Sequence, residues 1–294
     1  MLEFLTPTLK DKQWAKSIFE DSGYISSDNA FGTAFIWKDV YNLKICKYNN
    51  FLLRLYEGKQ TFYGFPLGKG DLKEVIEVLI NDAQKRNIDF CFTGITASMI
   101  LILNKIMPEK FIFSETRNTA DYIYESKDLI NLKGKKYHSK RNHISKFNNM
   151  FDFVYYNITN ENINDCRVIL EKWYDENEYK SNESLCKEKM ALELALEYFN
   201  ELEFSGGIIA IDKMPIAFTI GEKINNEVFV IHFEKALREY MTAYSVINNE
   251  FAKNNLCKYK YINREEDLGL AGLRKAKLSY HPQILLKKYD AFLR

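Results

Sequence analysis

The sequence predicts an α+β protein made of two copies of one mixed unit. Each half of the 294-residue chain has short alternating strands, then a helix, a strand, a second helix, a proline and a further strand. The distance from the first of these helices to the next strand is similar, with 18 positions from Asp71 to Asp89 and 19 from Glu239 to Lys258. A repeated order with matched spacing indicates a duplicated supersecondary unit, each copy with a mixed, mostly antiparallel sheet and flanking helices.

The first half begins with a helix predicted over residues 9–23 and closed by Gly23. Alternating, aromatic-rich runs predict an antiparallel meander over residues 33–48, 51–58 and 60–68. Asp71 is a natural N-cap for the helix that follows, whose apolar residues share one face. The rest of this half reads as a strand over 88–95, a helix over 98–107 stopped by Pro108, and strands over 111–115 and 121–125.

The second half repeats this order after a basic segment. We predict a strand at 151–158, helices near 161–177 and 185–203, a meander over 206–234, a helix over 239–255 and a strand at 257–262. The predicted organisation is therefore an N-terminal domain over 1–132, a connecting helix over 133–149 and a C-terminal domain over 150–294. Within the connecting helix, Tyr137, Lys140, Ile144 and Phe147 share one side at helical spacing.

Positive charge is concentrated in that connecting segment. The chain has 41 cations and 40 acids, a net charge of +1. Residues 133–147 contain six cations and no acid, namely Lys133, Lys135, Lys136, Lys140, Arg141 and Lys146. A pI near 7.5 argues against a general nucleic-acid-binding surface, so no DNA partner is predicted. A local cluster suits a phosphate or carboxylate site, and the alternative is a solvated helix face that pairs with acids of both domains.

Cysteine usage and hydropathy indicate a reduced, cytoplasmic protein. The five cysteines are scattered without a C-x-x-C motif, which favours neither a disulfide framework nor a zinc site. His232 lies in a predicted strand and His281 precedes a proline, and neither has partners at metal-ligand spacing, so no metal is predicted. The first residues form no long apolar run, and no window approaches the ~20 apolar residues of a membrane span. The oligomeric state cannot be read from these features.

Several separated motifs resemble, in order, a bacterial family grouped with the C-terminal domain of phosphatidylglycerol lysyltransferase. The motifs are YGFPLGKGD (63–71), LKGKKYHSKRNHISKF (132–147), FEKA (233–236), INNEFA (247–252) and YINREEDLGLAGLRKAKLSYHP (261–282). The resemblance covers essentially the whole chain and implies a tandem pair of GNAT-like, N-acyltransferase-like domains. In that fold the last strand of the meander and the next strand splay apart, and the intervening helix offers its N-terminus to phosphates.

The wider group moves an aminoacyl group from a charged tRNA to a lipid headgroup or a cell-wall peptide. A segment similar to G-L-[RY]-x-F-K stands here as Gly272–Lys277, with Ala276 in place of the aromatic residue. The resemblance implies that Lys277 steadies negative charge near the scissile ester. On chemical grounds, a fixed cation near the oxyanion lowers the barrier by ~2.7–4 kcal/mol.

Two acids stand where they could order or deprotonate the nucleophile, because each follows a strand that faces the splayed centre. These candidate catalytic residues are Glu234 and Asp267, and the alternative is that they only pair with neighbouring cations or cap a helix. The donor is predicted to be aminoacyl-tRNA or a phosphorylated small molecule. Its candidate binding residues are Lys136, His138, Lys140, Arg141, Asn142, Arg264 and Arg274.

Acetyl-CoA or another acyl-CoA is the alternative donor. CoA-dependent members of the fold close a pyrophosphate loop, [QR]-x-x-G-x-[GA], on the diphosphate. The corresponding residues run from Arg238 to Ala243, but Met241 replaces the central glycine and Glu239 adds repulsion. The leading hypothesis is thus an aminoacyl or acyl transferase without a tightly held cofactor. An acetyl-CoA-dependent N-acetyltransferase and a non-catalytic binding protein that has kept the fold are the alternatives.

Overall fold

Two mixed sheets, each of seven strands, organise the chain in the computed structural model, which describes residues 1–177 and 179–294. The first sheet contains β1 (Leu43–Tyr48), β2 (Phe51–Tyr56), β3 (Phe62–Gly64), β4 (Leu67–Gly68), β5 (Cys91–Ile95), β6 (Phe111–Glu115) and β14 (Tyr289–Leu293). Its order is β1-β2-β3-β5-β14-β6, and β4 pairs with β2.

The second sheet has the order β13-β7-β12-β11-β10-β9-β8. Its strands are β7 (Asp121–Glu125), β8 (Phe153–Asn157), β9 (Ser205–Ile211), β10 (Met214–Lys223), β11 (Val228–Ala236), β12 (Tyr261–Asn263) and β13 (Ile284–Leu286). The helices are α1 (Lys12–Asp21), α2 (Phe31–Ile36), α3 (Leu72–Arg86), α4 (Ala97–Ile106), α5 (Ser126–Asn131), α6 (His138–Met150), α7 (Ile163–Glu176), α8 (Glu183–Glu197), α9 (Ala243–Asn255) and α10 (Ala271–Leu278).

The halves exchange one strand each. β7, from the first half, lies between β12 and β13 and pairs with both in antiparallel fashion. β14, from the second half, lies between β5 and β6 of the first sheet, again antiparallel to both. Sheet membership therefore does not follow the predicted boundary at residue 132, because a strand on each side of that boundary belongs to the other sheet.

The apolar core continues from one sheet to the other. The ring of Phe35 meets that of Tyr198 at 5.2 Å between centroids, and Trp37 meets Phe233 at 6.2 Å. These contacts join α2 and its C-terminal end to α8 and β11, and they belong to one cluster that includes most buried side chains of both halves. The two domains are thus packed together as well as linked by exchanged strands.

The prediction of a strand at the start of the meander is wrong for residues 33–36, which belong to α2. The N–H groups of Gly32 and Thr33 donate to the Glu222 carboxylate at 3.0 and 2.8 Å. A carboxylate at a helix N-terminus satisfies donors that lack intrahelical partners. This cap comes from the other sheet, so the local β-forming pattern did not reveal it.

In the second sheet β11 and β12 part after a short parallel ladder. The ladder joins Val228 to Tyr261, Phe229 to Ile262 and Val230 to Asn263 in the described chain, whereas β11 continues to Ala236. The first sheet has a similar parallel pair, β3 and β5, over Tyr63–Phe92 and Gly64–Thr93. Beyond this ladder no further pairing of β11 with β12 occurs in the described chain, and we call the place where their pairing ends the strand opening.

Candidate functional site

Charged side chains converge where β11 and β12 part. The chain leaves β12 through Arg264, Glu265, Glu266 and Asp267, which we call the site loop. Glu265 has a positive φ of 56°, a conformation that L-residues adopt at a cost. Each of the four side chains meets a different set of partners, so the loop connects several polar clusters around the opening.

Arg264 points from the site loop toward α6 and α9. Its Nη2 donates to Glu234 Oε1 at 2.8 Å, and the other Glu234 oxygen accepts from Asn248 Nδ2 at 3.2 Å. The guanidinium lies 4.8 Å from the centroid of the Tyr280 ring. Its Nη1 is buried and has no hydrogen-bond partner in the described chain. Two predicted site residues, Arg264 and Glu234, are therefore in direct contact, and the Nη1 group of Arg264 remains unused within the described chain.

Lys140 reaches the same aromatic ring from the buried side of α6. Its ammonium lies 3.9 Å from the Tyr280 centroid, and the residue is 9% exposed. Burial, with the nearby charge of Arg264, lowers the pKa of Lys140 to about 8. Tyr137 and Phe147 are fully buried on the same side of α6, as their helical spacing predicted.

Lys277, on α10, holds the backbone of the site loop. Its ammonium donates to the carbonyl oxygens of Arg264, at 2.5 Å, and of Glu266. An ammonium has three donors, so one N–H remains beyond these two contacts. Burial lowers the pKa of Lys277, while the charges of Glu265 and Glu266 oppose that shift.

Glu265 joins a buried chain of charges that crosses between the domains. His232 Nδ1 lies 2.8 Å from Glu265 Oε1, and its Nε2 lies 3.0 Å from Glu222 Oε1. Burial opposes protonation of the ring, but hydrogen bonds to the two carboxylates outweigh it and raise the pKa of His232 to about 9. Glu222 is the carboxylate that caps α2, so the site loop is tied to the first domain through His232.

Glu266 belongs to a second polar cluster at the domain junction. The Lys288 ammonium, which is 2% exposed, bonds to Asp28 at 2.7 Å and to Asp121 at 2.9 Å. Burial raises the pKa of Glu266 to about 7, although the charge of Lys288 acts in the other direction. A carboxyl group with this pKa can accept and return a proton near neutral pH. The sequence alone gave no signal for this environment of Glu266, because Lys288 and Asp28 are remote from it in the chain.

Asp267, which the sequence offered as a candidate catalytic acid, lies in a shell of hydrogen-bond donors. Its buried carboxylate accepts hydrogen bonds from the side chains of Arg274, Tyr122 and Arg117, at 2.5 to 3.2 Å, and from the N–H of Gly269 at 2.8 Å. Burial would raise its pKa, but these bonds hold the pKa well below the usual range. A carboxylate so fully engaged is a poor proton acceptor, so this geometry supports a positioning role and not catalysis.

Arg274 is engaged by Asp267 and by the Asn118 side chain at 2.9 Å, away from the Arg264 pair. Most of the predicted donor-binding residues on the basic segment also point elsewhere. Lys136 pairs with Asp128 at 3.1 Å, and His138 contacts Asn142 at 3.2 Å, all on the exposed side.

Arg141 donates to the carbonyl oxygens of Leu132 and Gly134 and lines a surface groove of about 370 Å³. The structure thus brings together Lys140, Arg264, Glu234 and Lys277, and it leaves Lys136, His138, Arg141, Asn142 and Arg274 outside this group.

One carboxylate contacts the segment that corresponds to a CoA pyrophosphate loop. The N–H of Arg238 donates to Glu176 Oε2 at 2.9 Å, just before α9 begins. Met241 is 64% exposed at the place of the missing glycine. A carboxylate already bound near this helix start competes with a diphosphate for its donors.

Among residues 1–177 and 179–294, no cluster of histidine, cysteine, aspartate or glutamate side chains is arranged to hold a metal ion. Within the same residues, no helix has the length and apolar character needed to cross a bilayer.

The strand order and the opening between β11 and β12 define a protein with two tandem GNAT-like domains, which confirms the predicted fold class. Residues 20–292 match the family model described as phosphatidylglycerol lysyltransferase, C-terminal. The chain belongs to this family, as the separated motifs indicated.

Solved structures agree with this assignment. A conserved protein of unknown function from Bacteroides thetaiotaomicron VPI-5482 is 41% identical, with a TM-score of 0.96 and 100% of both chains covered. L-PGS from Bacillus licheniformis is 14% identical, with a TM-score of 0.68 over 98% of this chain and 93% of its own. The latter likeness supports the fold alone.

A curated relative, an uncharacterized protein of Mycoplasmoides gallisepticum, is 22% identical over 185 residues. The match covers 58% of this chain and 56% of the relative, so it spans little more than half the length of that protein.

Proposed function

We propose that the protein is an aminoacyltransferase that takes an aminoacyl group from aminoacyl-tRNA and passes it to an amine or hydroxyl acceptor. The observation that carries this proposal is the set of charged groups at the strand opening. Arg264 has an unused donor there, Lys277 has a third N–H, and Glu266 has a pKa near neutrality. Membership of the phosphatidylglycerol lysyltransferase C-terminal family supports an ester donor of this class.

The proposed reaction is attack of the acceptor on the ester carbonyl carbon of the donor. A new C–N or C–O bond forms, and the ester bond to the ribose oxygen breaks. The nucleophile gives its proton to Glu266, which returns it to the departing ribose oxygen. Arg264 and Lys277 stabilise the oxyanion, and one such donor lowers the barrier by ~2.7–4 kcal/mol. Glu234 orients Arg264, while Asp267 and Lys277 hold the site loop.

A transfer assay with a total pool of charged tRNA and labelled amino acids tests this proposal. Glu266→Gln keeps the size of the side chain but removes the proton acceptor, so kcat should fall by about 10²–10⁴-fold with little change in KM. In the parent protein, activity should be lost as the pH falls through about 7, because Glu266 must be deprotonated to act as a base. The variant should lose this pH dependence.

The matched control is Lys105→Ala, an exposed cation on α4 of the first domain. Charge-driven tRNA binding and transfer should remain at the parent level in this variant. The proposal fails if neither an amine nor a hydroxyl acceptor receives label from any charged tRNA. It also fails if Glu266→Gln is as active as the parent across the pH range.

The acetyl-CoA alternative is distinguished by thermal unfolding. A ligand that binds the native state must raise the midpoint of unfolding. The Glu176 carboxylate beside the N–H of Arg238 disfavours a diphosphate, so CoA and acetyl-CoA should leave the midpoint unchanged. A clear stabilisation by either compound would instead favour an N-acetyltransferase.

A further inference from the structure

The helix α10 and the turn before it expose a run of leucines. Leu268, Leu270, Leu273 and Leu278, which we call the leucine patch, are between 36% and 58% exposed. The exposed residues between them are glycines, alanines and a single lysine, Lys275. Single exposed leucines are normal on a protein surface, but a contiguous apolar surface of this kind marks an interaction site.

The leucine patch is not used to hold α10 in place. Lys277 is the one buried residue of this helix, and its ammonium donates to the carbonyl oxygens of Arg264 and Glu266. The Tyr124 hydroxyl donates to the carbonyl oxygen of Lys277 at 2.8 Å. Among the described residues, none of the four leucines belongs to a hydrophobic cluster. Polar contacts therefore fix the helix, and its apolar side chains remain free to be covered by a partner.

The surface around the leucine patch is positive. Beyond the end of α10, His281 Nε2 lies 3.1 Å from the backbone oxygen of Lys136, so the patch adjoins the basic segment. Lys133, Lys135 and Lys275 are exposed, and none of them has an ion-pair partner within residues 1–177 and 179–294. The acids at this surface are already engaged, namely Asp267 by Arg117 and Arg274, Asp128 by Lys136, and Glu115 by Lys287.

We propose that the leucine patch binds the surface of an anionic lipid bilayer. Leucines that enter the headgroup region remove apolar area from water, and unpaired lysines beside them are attracted to anionic lipids. Residues 268–278 contain no aromatic side chain, whereas the energetic centres of protein interfaces are rich in tyrosine and tryptophan and poor in leucine. The eight residues of α10 are too few to cross a bilayer, so the helix would lie on its surface.

This inference goes beyond the proposed function, because binding to a bilayer requires no transfer reaction. Its consequence for the site follows from Lys277, which holds the site loop from the buried side of the same helix. A bilayer bound to the leucine patch would therefore lie close to the strand opening.

Vesicle cosedimentation tests the apolar part of the surface. One set of vesicles contains phosphatidylserine in phosphatidylcholine, and the other contains phosphatidylcholine alone. The parent protein should bind the anionic vesicles more tightly. The double variant Leu268→Ser, Leu270→Ser should lower the partition coefficient about a hundredfold, or about tenfold for each leucine. The matched control is Leu101→Ser, since Leu101 is 72% exposed on α4 outside the patch, and it should bind as the parent does.

The same assay tests the electrostatic part. Lys275→Glu reverses one charge beside the leucines and should lower binding to anionic vesicles about tenfold, with no change for neutral vesicles. High salt should weaken binding of the parent to anionic vesicles. The control is Lys105→Glu, an exposed cation on α4, which should keep parental binding and salt dependence.

A fluorescence measurement keeps the test valid if the serine variants do not fold. Leu270→Trp places a reporter in the leucine patch, and Leu101→Trp places one on α4. Brominated lipids should quench the added fluorescence of Leu270→Trp and leave that of Leu101→Trp unchanged. Both variants contain the same background from Trp14, Trp37 and Trp173.

The inference is overturned if the parent does not bind anionic vesicles, or if Leu101→Ser loses as much binding as the double variant. It is also overturned if ultracentrifugation without lipid shows a dimer that the double variant abolishes, because a second copy would then cover the patch. Vesicle binding without transfer from charged tRNA would leave this inference standing and reject the proposed function. Transfer without vesicle binding would do the reverse.

Discussion

The two sheets differ most at the point where each has a parallel pair of strands. In the first sheet the ends of β3 and β5 are filled, since Phe65 is 3% exposed and lies against Phe92 at 6.0 Å between ring centroids. In the second sheet the same place holds the charged site loop. One copy is therefore filled by aromatic side chains at this place, whereas the other holds charged and polar side chains there.

The largest expected effect concerns Glu222, His232 and Glu265, the buried charged residues that connect the site loop to the first domain. His232→Leu would leave Glu222 and Glu265 buried without their shared cation, which should lower the free energy of unfolding by about 3–5 kcal/mol. Urea unfolding measures this change. Thr93→Val, at the filled end of β5 in the first sheet, loses one hydrogen bond to Asp290 and should cost about 1 kcal/mol. Equal losses in the two variants would remove the distinction between the two sheets at this place.

The next comparison is between Asp267, in the site loop, and Asp290, in β14 of the first sheet. Asp267→Asn weakens charge-assisted hydrogen bonds to Arg274 and Arg117, so stability should fall by about 2 kcal/mol. Asp290, in the first sheet, bonds to Thr93, and burial raises its pKa. Asp290→Asn should therefore change stability by less than about 0.5 kcal/mol. Chemical denaturation of both variants measures these changes in the free energy of unfolding. A larger loss of stability for Asp290→Asn than for Asp267→Asn would contradict the prediction.

The pH dependence of stability should carry the signature of His232. Its folded-state pKa of about 9 is above the ordinary value of 6.5, so the folded state binds the proton more tightly. This stabilisation is complete below pH 6.5 and is lost as the pH rises through about 9. A decline of about 1–3 kcal/mol is expected in this window. His232→Leu should show no such decline, and an unchanged pH profile in that variant would refute the assignment.

The smallest change expected in the second sheet's site has the opposite sign and concerns Lys140. Its folded-state pKa of about 8 is below the ordinary 10.5, so between these values the unfolded chain binds more protons and stability rises with pH. Lys140→Met removes the buried charge and should raise stability by about 1 kcal/mol at neutral pH, with no gain near pH 10. A loss of stability at neutral pH would show that the charge already has a partner.

Local signals in the sequence were sufficient for much of the fold. Asp71 caps α3 by accepting from the N–H of Glu74, and the spacing of the basic segment correctly placed Lys140 on the buried side of α6. Long-range features were not accessible in this way. The cap of α2 comes from Glu222, and the environment that tunes Glu266 comes from Lys288, so neither leaves a pattern near the residue it affects.

The site illustrates the same limit. Lys277 and Glu234 were predicted as site residues because each stands at a recognisable point, in a family-like segment and at the end of a strand. Asp267 was chosen by the same reasoning, but its partners Tyr122 and Arg117 come from the first half and occupy its carboxylate. The sequence predicts which charged residues lie near the strand opening. Contacts with residues distant in the sequence then determine which of these charged groups are already hydrogen-bonded.

Because β7 and β14 are exchanged, neither half of the chain contains all the strands of its own sheet. During synthesis, the first sheet lacks the strand between β5 and β6 until residues 289–293 have emerged, so the facing edges of β5 and β6 stay unpaired while the second half of the described chain is made. Recombination that replaced one half with a foreign copy would also replace a strand in the other sheet. We therefore expect the two halves of the chain to evolve together, so that substitutions in one half are compensated by substitutions in the other.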